Sequence, residues 1–123
     1  MMVNREVFRF GEFTLHVGER RLLRGVEVVR LSPKAHDVLV ELVRQEGRLM
    51  TKEELLSRIW PEAFVEEGIL TVHISALRKA LGDEKGAQGY IETVPRRGYR
   101  FIARARTDDG DKALLRAAGR PLS

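Results

Sequence analysis

The side chains in this chain best placed to do chemistry are cationic hydrogen-bond donors. Across residues 91–106 the sequence sets Arg96, Arg97, Arg100, Arg104 and Arg106 against the single acid Glu92. Arg96 and Arg97 fall in the loop of residues 95–98, between two short runs that read as strands, so a hairpin tip would present them. Upstream, residues 69–81 read as a helix with Leu70, Ile74, Leu77 and Leu81 on one buried seam. At about 100° per residue, its opposite face carries Val72, Ser75, Ala76 and Lys79, with His73 and Arg78 on the flanks. Short side chains in the middle and long donors at the rim suit a helix that lies close against another surface. An ordinary amphipathic helix fits the same seam. Residues 61–67 have the opposite sign, with Glu62, Glu66 and Glu67, so the chain separates a basic lobe from an acidic loop.

Nucleophilic and metal chemistry find no comparable footing. His16, His36 and His73 fall on a strand and two different helices, without metal-ligand spacing. His36 and Asp37 begin what reads as an exposed helix turn, and Asp37 with Glu41 reads as a surface pair rather than a catalytic dyad. There is no glycine-rich phosphate loop and no nucleophile elbow. The sequence therefore points to no catalytic residue, no metal, no cofactor and no enzyme.

The frame for these residues is small. A chain of 123 residues with a hydrophobic fraction of 43% makes one domain with a real core. No apolar run approaches the roughly 20 residues that cross a bilayer, and the N-terminus lacks the apolar stretch of a signal peptide. Cysteine is absent, which excludes disulfides and thiolate sites and makes a cytoplasmic protein the simplest reading. The net charge of +4 is modest, so the distribution of charge matters more than its size.

Residues 7–31 alternate apolar and polar side chains between Gly11, Gly18 and Gly25, which predicts about four short antiparallel strands needing a helical cover. Ser32-Pro33 opens a first helix with Ser32 as N-cap, and Gly47 ends it. Leu49-Met50 reads as a short apolar link. Thr51 and Glu54 form a capping box at the start of a second helix, whose buried side is Leu55, Leu56, Ile59 and Trp60 and which Pro61 stops. A loop over residues 62–68 leads to the third helix, with Gly82 as a left-handed cap. A polar link over residues 83–89 precedes strands at 90–94 and 99–103, with Gly98 tightening the turn between them. Residues 107–123 read as a frayed or weakly helical tail, which leaves 1–106 as the domain. Helices two and three joined by a loop and followed by a hairpin make a helix-turn-helix with a wing.

At this point the chain resembles the OmpR/PhoB-type winged-helix DNA-binding domain, in the CadC-like subgroup that lacks a receiver domain. The residues that carry the resemblance are VHISALRKALGD at 72–83 and YIETVPRRGYRFI at 90–102, supported by residues 31–60. The match covers residues 8–103. It implies an α+β fold: a winged helix-turn-helix with a four-stranded N-terminal antiparallel sheet, a three-helix core and a C-terminal hairpin wing. It also implies sequence-selective binding of double-stranded DNA by a transcriptional regulator, an effector of the two-component kind. The third helix would lie in the major groove, with Thr71, Val72, Ser75, Ala76 and Lys79 facing bases or flanking phosphates. His73, Arg78 and Trp60 would contact phosphates, and Arg96 and Arg97 would meet the minor groove. Tyr99 belongs to the same DNA-binding set and, with Phe101, would anchor the wing.

Two departures qualify these expectations. Many relatives carry long basic side chains where this chain has Ser75 and Ala76, so bidentate guanine contacts are lost and direct readout thins. No receiver domain precedes the first strand, and no sensor follows the wing, so the chain is either a stand-alone binder or a fragment of a longer sensor protein. The acidic loop 62–67 is either merely solvated or a contact for RNA polymerase. The resemblance further implies a head-to-tail dimer on direct repeats. The alternative from another class is a winged helix used for protein–protein contact, and the arginine wing argues against it.

Overall fold

The computed structural model describes residues 6–83 and 89–107, which run β1 (Val7–Phe10), β2 (Phe13–His16), β3 (Arg21–Arg24), β4 (Glu27–Val29), α1 (Pro33–Arg44), β5 (Leu49–Thr51), α2 (Lys52–Ile59), α3 (Glu67–Ala80), β6 (Ile91–Val94), β7 (Gly98–Phe101) and β8 (Arg106–Thr107). Strand alternation in the first four elements puts Phe8, Phe10, Phe13, Leu15 and Leu22 on the covered face, all buried. The three helices close over that face through Val38, Leu39, Leu42, Leu55, Ile59, Leu70, Ile74 and Leu77. The seam expected for the third helix is there: Leu70, Ile74, Leu77 and Leu81 are each no more than 2% exposed.

The helix starts follow their capping chemistry. Ser32 Oγ accepts from the Ala35 N–H at 3.2 Å, with Pro33 in the first helical position. At α2 the capping box is complete: Glu54 N–H donates to Thr51 Oγ1 at 3.0 Å and Thr51 N–H donates back to Glu54 Oε1 at 3.0 Å. That backbone bond, and then the Arg48 guanidinium, hold the Glu54 carboxyl below its ordinary value. Gly82 ends α3 at φ 72, with Asp83 N–H donating to Arg78 O at 2.7 Å.

Four expectations change. The N-terminal sheet has five strands, in the order β4-β3-β2-β1-β8, because the chain returns after the wing and lays Arg106 and Thr107 against Arg9 and Phe8. Thr107 therefore belongs to the sheet rather than to a tail; the rest of that tail lies outside the described residues. Leu49-Met50 is not a bare link but part of β5, the third strand of the wing sheet β5-β7-β6. The third helix begins at Glu67, two residues before Ile69, with no side-chain cap on its first turn. Finally, His36 does not lie on an exposed turn: it is 3% exposed, turned inward with Ala35. Most of the polar link at 83–89 lies outside the described residues.

Candidate nucleic-acid interface

The outward face of α3 is a plain consequence of its seam. With Leu70, Ile74 and Leu77 inward, Thr71, Val72, Ser75, Ala76 and Lys79 emerge exposed on the other side, Val72 at 62%. Two flanking residues are less free than the sequence suggests. His73 is half-buried, its Nδ1 donates to Ile69 O at 2.8 Å, and its ring meets Trp60 edge-on at 5.4 Å. With Nδ1 committed, a neutral ring presents Nε2 as an acceptor and donates to a phosphate from that atom only when protonated. Arg78 donates from one terminal nitrogen to Ile91 O at 3.0 Å and Thr93 Oγ1 at 2.7 Å, so its first role is to brace α3 against β6.

Trp60 caps the C-terminus of α2, half-buried, with the Lys34 ammonium 5.8 Å from its ring centre. Lys34 Nζ also donates to Ile59 O at 2.8 Å, satisfying a carbonyl at the helix end. Tyr99 is 6% exposed and sits with Phe101 in the core. It anchors the wing, and the burial separates it from the exposed members of the predicted set. The ring of Phe101 meets Phe10 edge-on at 5.1 Å, which ties the wing sheet to the N-terminal one.

The wing tip is a tight turn. Arg97 N–H donates to Val94 O at 3.0 Å, with Pro95 second and Arg96 third in the turn at φ 67. The arrangement fits a type II turn, where the third position normally goes to glycine or asparagine. The left-handed residue is thus Arg96 rather than Gly98. Gly98 is needed for a different reason: a Cβ there would lie 2.0 Å from Met50 O, so only glycine lets β7 pack onto β5. Asp83, buried, starts the wing by accepting from the N–H groups of Tyr90 at 2.7 Å and Ile91 at 3.2 Å.

The arginine-rich stretch is not one lobe. Arg100 is paired with Glu92 across the hairpin at 3.0 Å. Arg104 and Arg106 line a shallow cleft beside Arg9 and Gly11, at the sheet edge where β8 joins β1. Arg96 and Arg97 alone occupy the tip. They share a cleft of about 340 Å³ with Thr51, Lys52 and Glu67. Lys52 joins its parts: its N–H donates to Arg97 O at 3.0 Å and its ammonium to Glu67 Oε1 at 3.3 Å. The sequence showed Lys52 only as the residue after a capping threonine; what places it under the wing is β5–β7 pairing, which carries no local signature. The acidic loop also held an unread residue, Phe64, fully exposed between Glu62 and Glu66.

Comparison with known proteins gives a consistent set of relatives. A family model described as "Transcriptional regulatory protein, C terminal" matches residues 26–101. The transcriptional regulator HilA of Salmonella typhi is 39% identical over 99 residues, which cover 80% of this chain and 18% of HilA. The chain thus spans less than a fifth of that relative's length. Among solved structures, the DNA-binding domain of Escherichia coli CadC superposes with a TM-score of 0.73 at 30% identity, covering 85% of this chain and 98% of that one. The Klebsiella pneumoniae RstA DNA-binding domain, in complex with the RstA box, gives a TM-score of 0.68 at 32% identity, covering 78% and 96%.

Proposed function

The chain belongs to the transcriptional regulatory protein C-terminal family, the OmpR/PhoB-type winged helices, and from that premise we propose that it binds double-stranded DNA selectively as the DNA-binding part of a transcriptional regulator. The observation that carries the reading is that an exposed helix face of small side chains and an exposed arginine tip are fixed to one frame. Lys52 links the tip to both α2 and the start of α3, and Arg78 ties the end of α3 to the wing. A duplex offers a major and a minor groove at a fixed spacing, and a rigid pair of probes suits that target.

In this reading α3 lies in the major groove. Val72 and Ala76 meet thymine methyl groups, while Ser75 and Thr71 hydrogen-bond where a partner is offered. Lys79, His73, Trp60 and the unused donors of Arg78 approach phosphates. Arg96 and Arg97 enter or skirt the minor groove, where guanidinium groups respond to width and negative potential. With no long donor at Ser75 or Ala76, shape readout by the wing carries much of the selectivity. The domain is residues 1–106 extended by Thr107, acts in the cytoplasm where the chromosome is, and pairs head-to-tail on direct repeats. The acidic loop, with Phe64 as an apolar anchor between carboxylates, contacts RNA polymerase.

The test is a titration of the chain into a labelled random-sequence duplex and a single-stranded control at several salt concentrations. Duplex binding should weaken log-linearly with salt, and the Arg96→Ala/Arg97→Ala variant should lower the slope by about two, one per cation lost from the duplex surface. Absence of duplex binding at low salt, with the variant behaving like the parent, would sink this reading in favour of a protein-docking module.

A further inference from the structure

Two polar side chains are buried among the described residues, Asp83 and His36. Asp83 is used, since it holds the start of the wing. His36 is not: neither ring nitrogen has a hydrogen-bond partner among the described residues. Native interiors rarely leave such groups unmatched, because a buried unsatisfied donor or acceptor destabilises the fold. His36 lies against a cleft of about 260 Å³ formed by α1, α2 and the turn between β2 and β3, and Arg20, Arg44 and Arg58 line it with Asp37 and Glu41. We propose that this cleft binds a small oxyanion, a phosphate or a carboxylate, between the His36 imidazole and the guanidinium groups of Arg20 and Arg58.

Size and donor supply both favour that class. A cleft of this volume falls below the range of about 300–1,000 Å³ that holds drug-sized ligands, so it takes an ion of a few heavy atoms rather than a nucleotide. Arg20 spends one terminal nitrogen on Asp37 at 2.8 Å and the other on Pro33 O at 2.9 Å. Arg58 spends one on Glu41 at 3.0 Å. A guanidinium has five N–H donors, so both retain some. Arg20 is moreover held at φ 54, uncommon outside glycine, in the turn whose guanidinium the bonds to Pro33 and Asp37 fix at the cleft. Glu41 is shared between Arg58 and, at 4.0 Å, Arg44, whose main partner is Glu6, so Arg58 and Arg20 are the cations with donors to give.

The charges facing the ring explain what binding would do to it. Burial first, and then Arg20, lower the His36 pKa from its ordinary value and so favour the neutral ring, against the opposing pull of Asp37. An oxyanion accepts from the ring and favours its protonated form, so the ligand enters together with a proton. The Arg58 side chain is 46% exposed, and the Arg58–Glu41 pair is the part of the rim that parts to admit it. No lining residue belongs to the proposed DNA surface, so this site and the DNA-binding reading fail independently.

The experiment follows the imidazole groups of the whole chain by proton–nitrogen correlation spectroscopy. Inorganic phosphate and acetate are titrated separately, against chloride at matched ionic strength. The His36 ring nitrogens should respond saturably to phosphate or to acetate and move toward the imidazolium form; which of the two saturates first distinguishes a phosphoryl from a carboxylate ligand. Arg58→Gln, at an exposed position, should weaken that response about tenfold, with Arg20→Gln as the second variant, while the His73 signals stay as in the parent. A His36 response equal in chloride, absent altogether, or unchanged in both variants overturns the proposal.

Discussion

In the proposed complex the outer face of α3 and the wing tip would meet the duplex on opposite terms. The helix face is regular backbone carrying Thr71, Val72, Ser75 and Ala76, side chains with little reach and little charge. The tip is irregular backbone, with Arg96 in a left-handed conformation, and its side chains are the longest cations available. A helix laid in a groove would need only small residues, because its axis does the positioning and the groove floor would come close. A turn with two strands behind it positions less well, so it relies on charge and on bonds to its neighbours through Lys52, Arg78 and Gly98. The difference suggests that α3 places the domain on the duplex and supplies its few base contacts, while the wing carries shape readout and the salt-sensitive share of the affinity.

The most damaging way to break this division is to detach the wing. Gly98→Ala sets a Cβ against Met50 O, and unfolding in urea should show a loss of about 3 kcal/mol, with duplex binding falling far beyond what the charge-neutral change predicts. The opposite intervention leaves the wing alone: Val72→Ala with Ser75→Ala should cost about 1 kcal/mol in discrimination between preferred and random duplexes, the low end of what a bidentate contact would give. The salt slope should stay that of the parent, as binding curves at two salt concentrations will reveal; a changed slope would show that α3 carries the charge contacts instead.

A control that touches neither surface lies at His36. Burial keeps its pKa below the ordinary 6.5, so as pH falls through and below that value the unfolded chain takes up a proton that the folded chain resists. Stability should therefore drop on acidification, and urea midpoints for His36→Leu should depend less on pH across that window. The smallest effect sharpens the comparison most. Arg96→Gly relieves the left-handed strain while freeing the unfolded chain, so stability should move by less than about 1 kcal/mol. Duplex affinity should still fall, a separation of binding from stability that a helix-face substitution cannot produce as cleanly.

These contrasts also mark what the sequence made legible. The seam of α3, the Ser32 cap and the Thr51–Glu54 box were readable because each is a local pattern with one geometric outcome. β5 and β8 were not, since strands of three and two residues have no periodicity and exist only through partners some fifty to a hundred positions away. The same non-locality hid Lys52 beneath the wing and gave Arg78 a bracing role that its place on the helix flank did not announce. His36 was misplaced because a histidine near a helix start resembles a surface residue until the apolar neighbours on its own face are counted. Arg100 looked like one more cation until cross-strand register set it opposite Glu92.

The pairing of β8 with β1 has a mechanical consequence. The strands are antiparallel with Phe8 opposite Thr107 and Arg9 opposite Arg106, so the two ends of the described domain leave the sheet at the same corner. Tension applied between those ends would load the ladder one bond at a time, as a zipper is opened, rather than shear all of it together. β8 would peel away at low force and uncover the edge of β1, and only after that would the load pass along residues 102–105 to the wing strand β7, leaving the helices outside the line of pull.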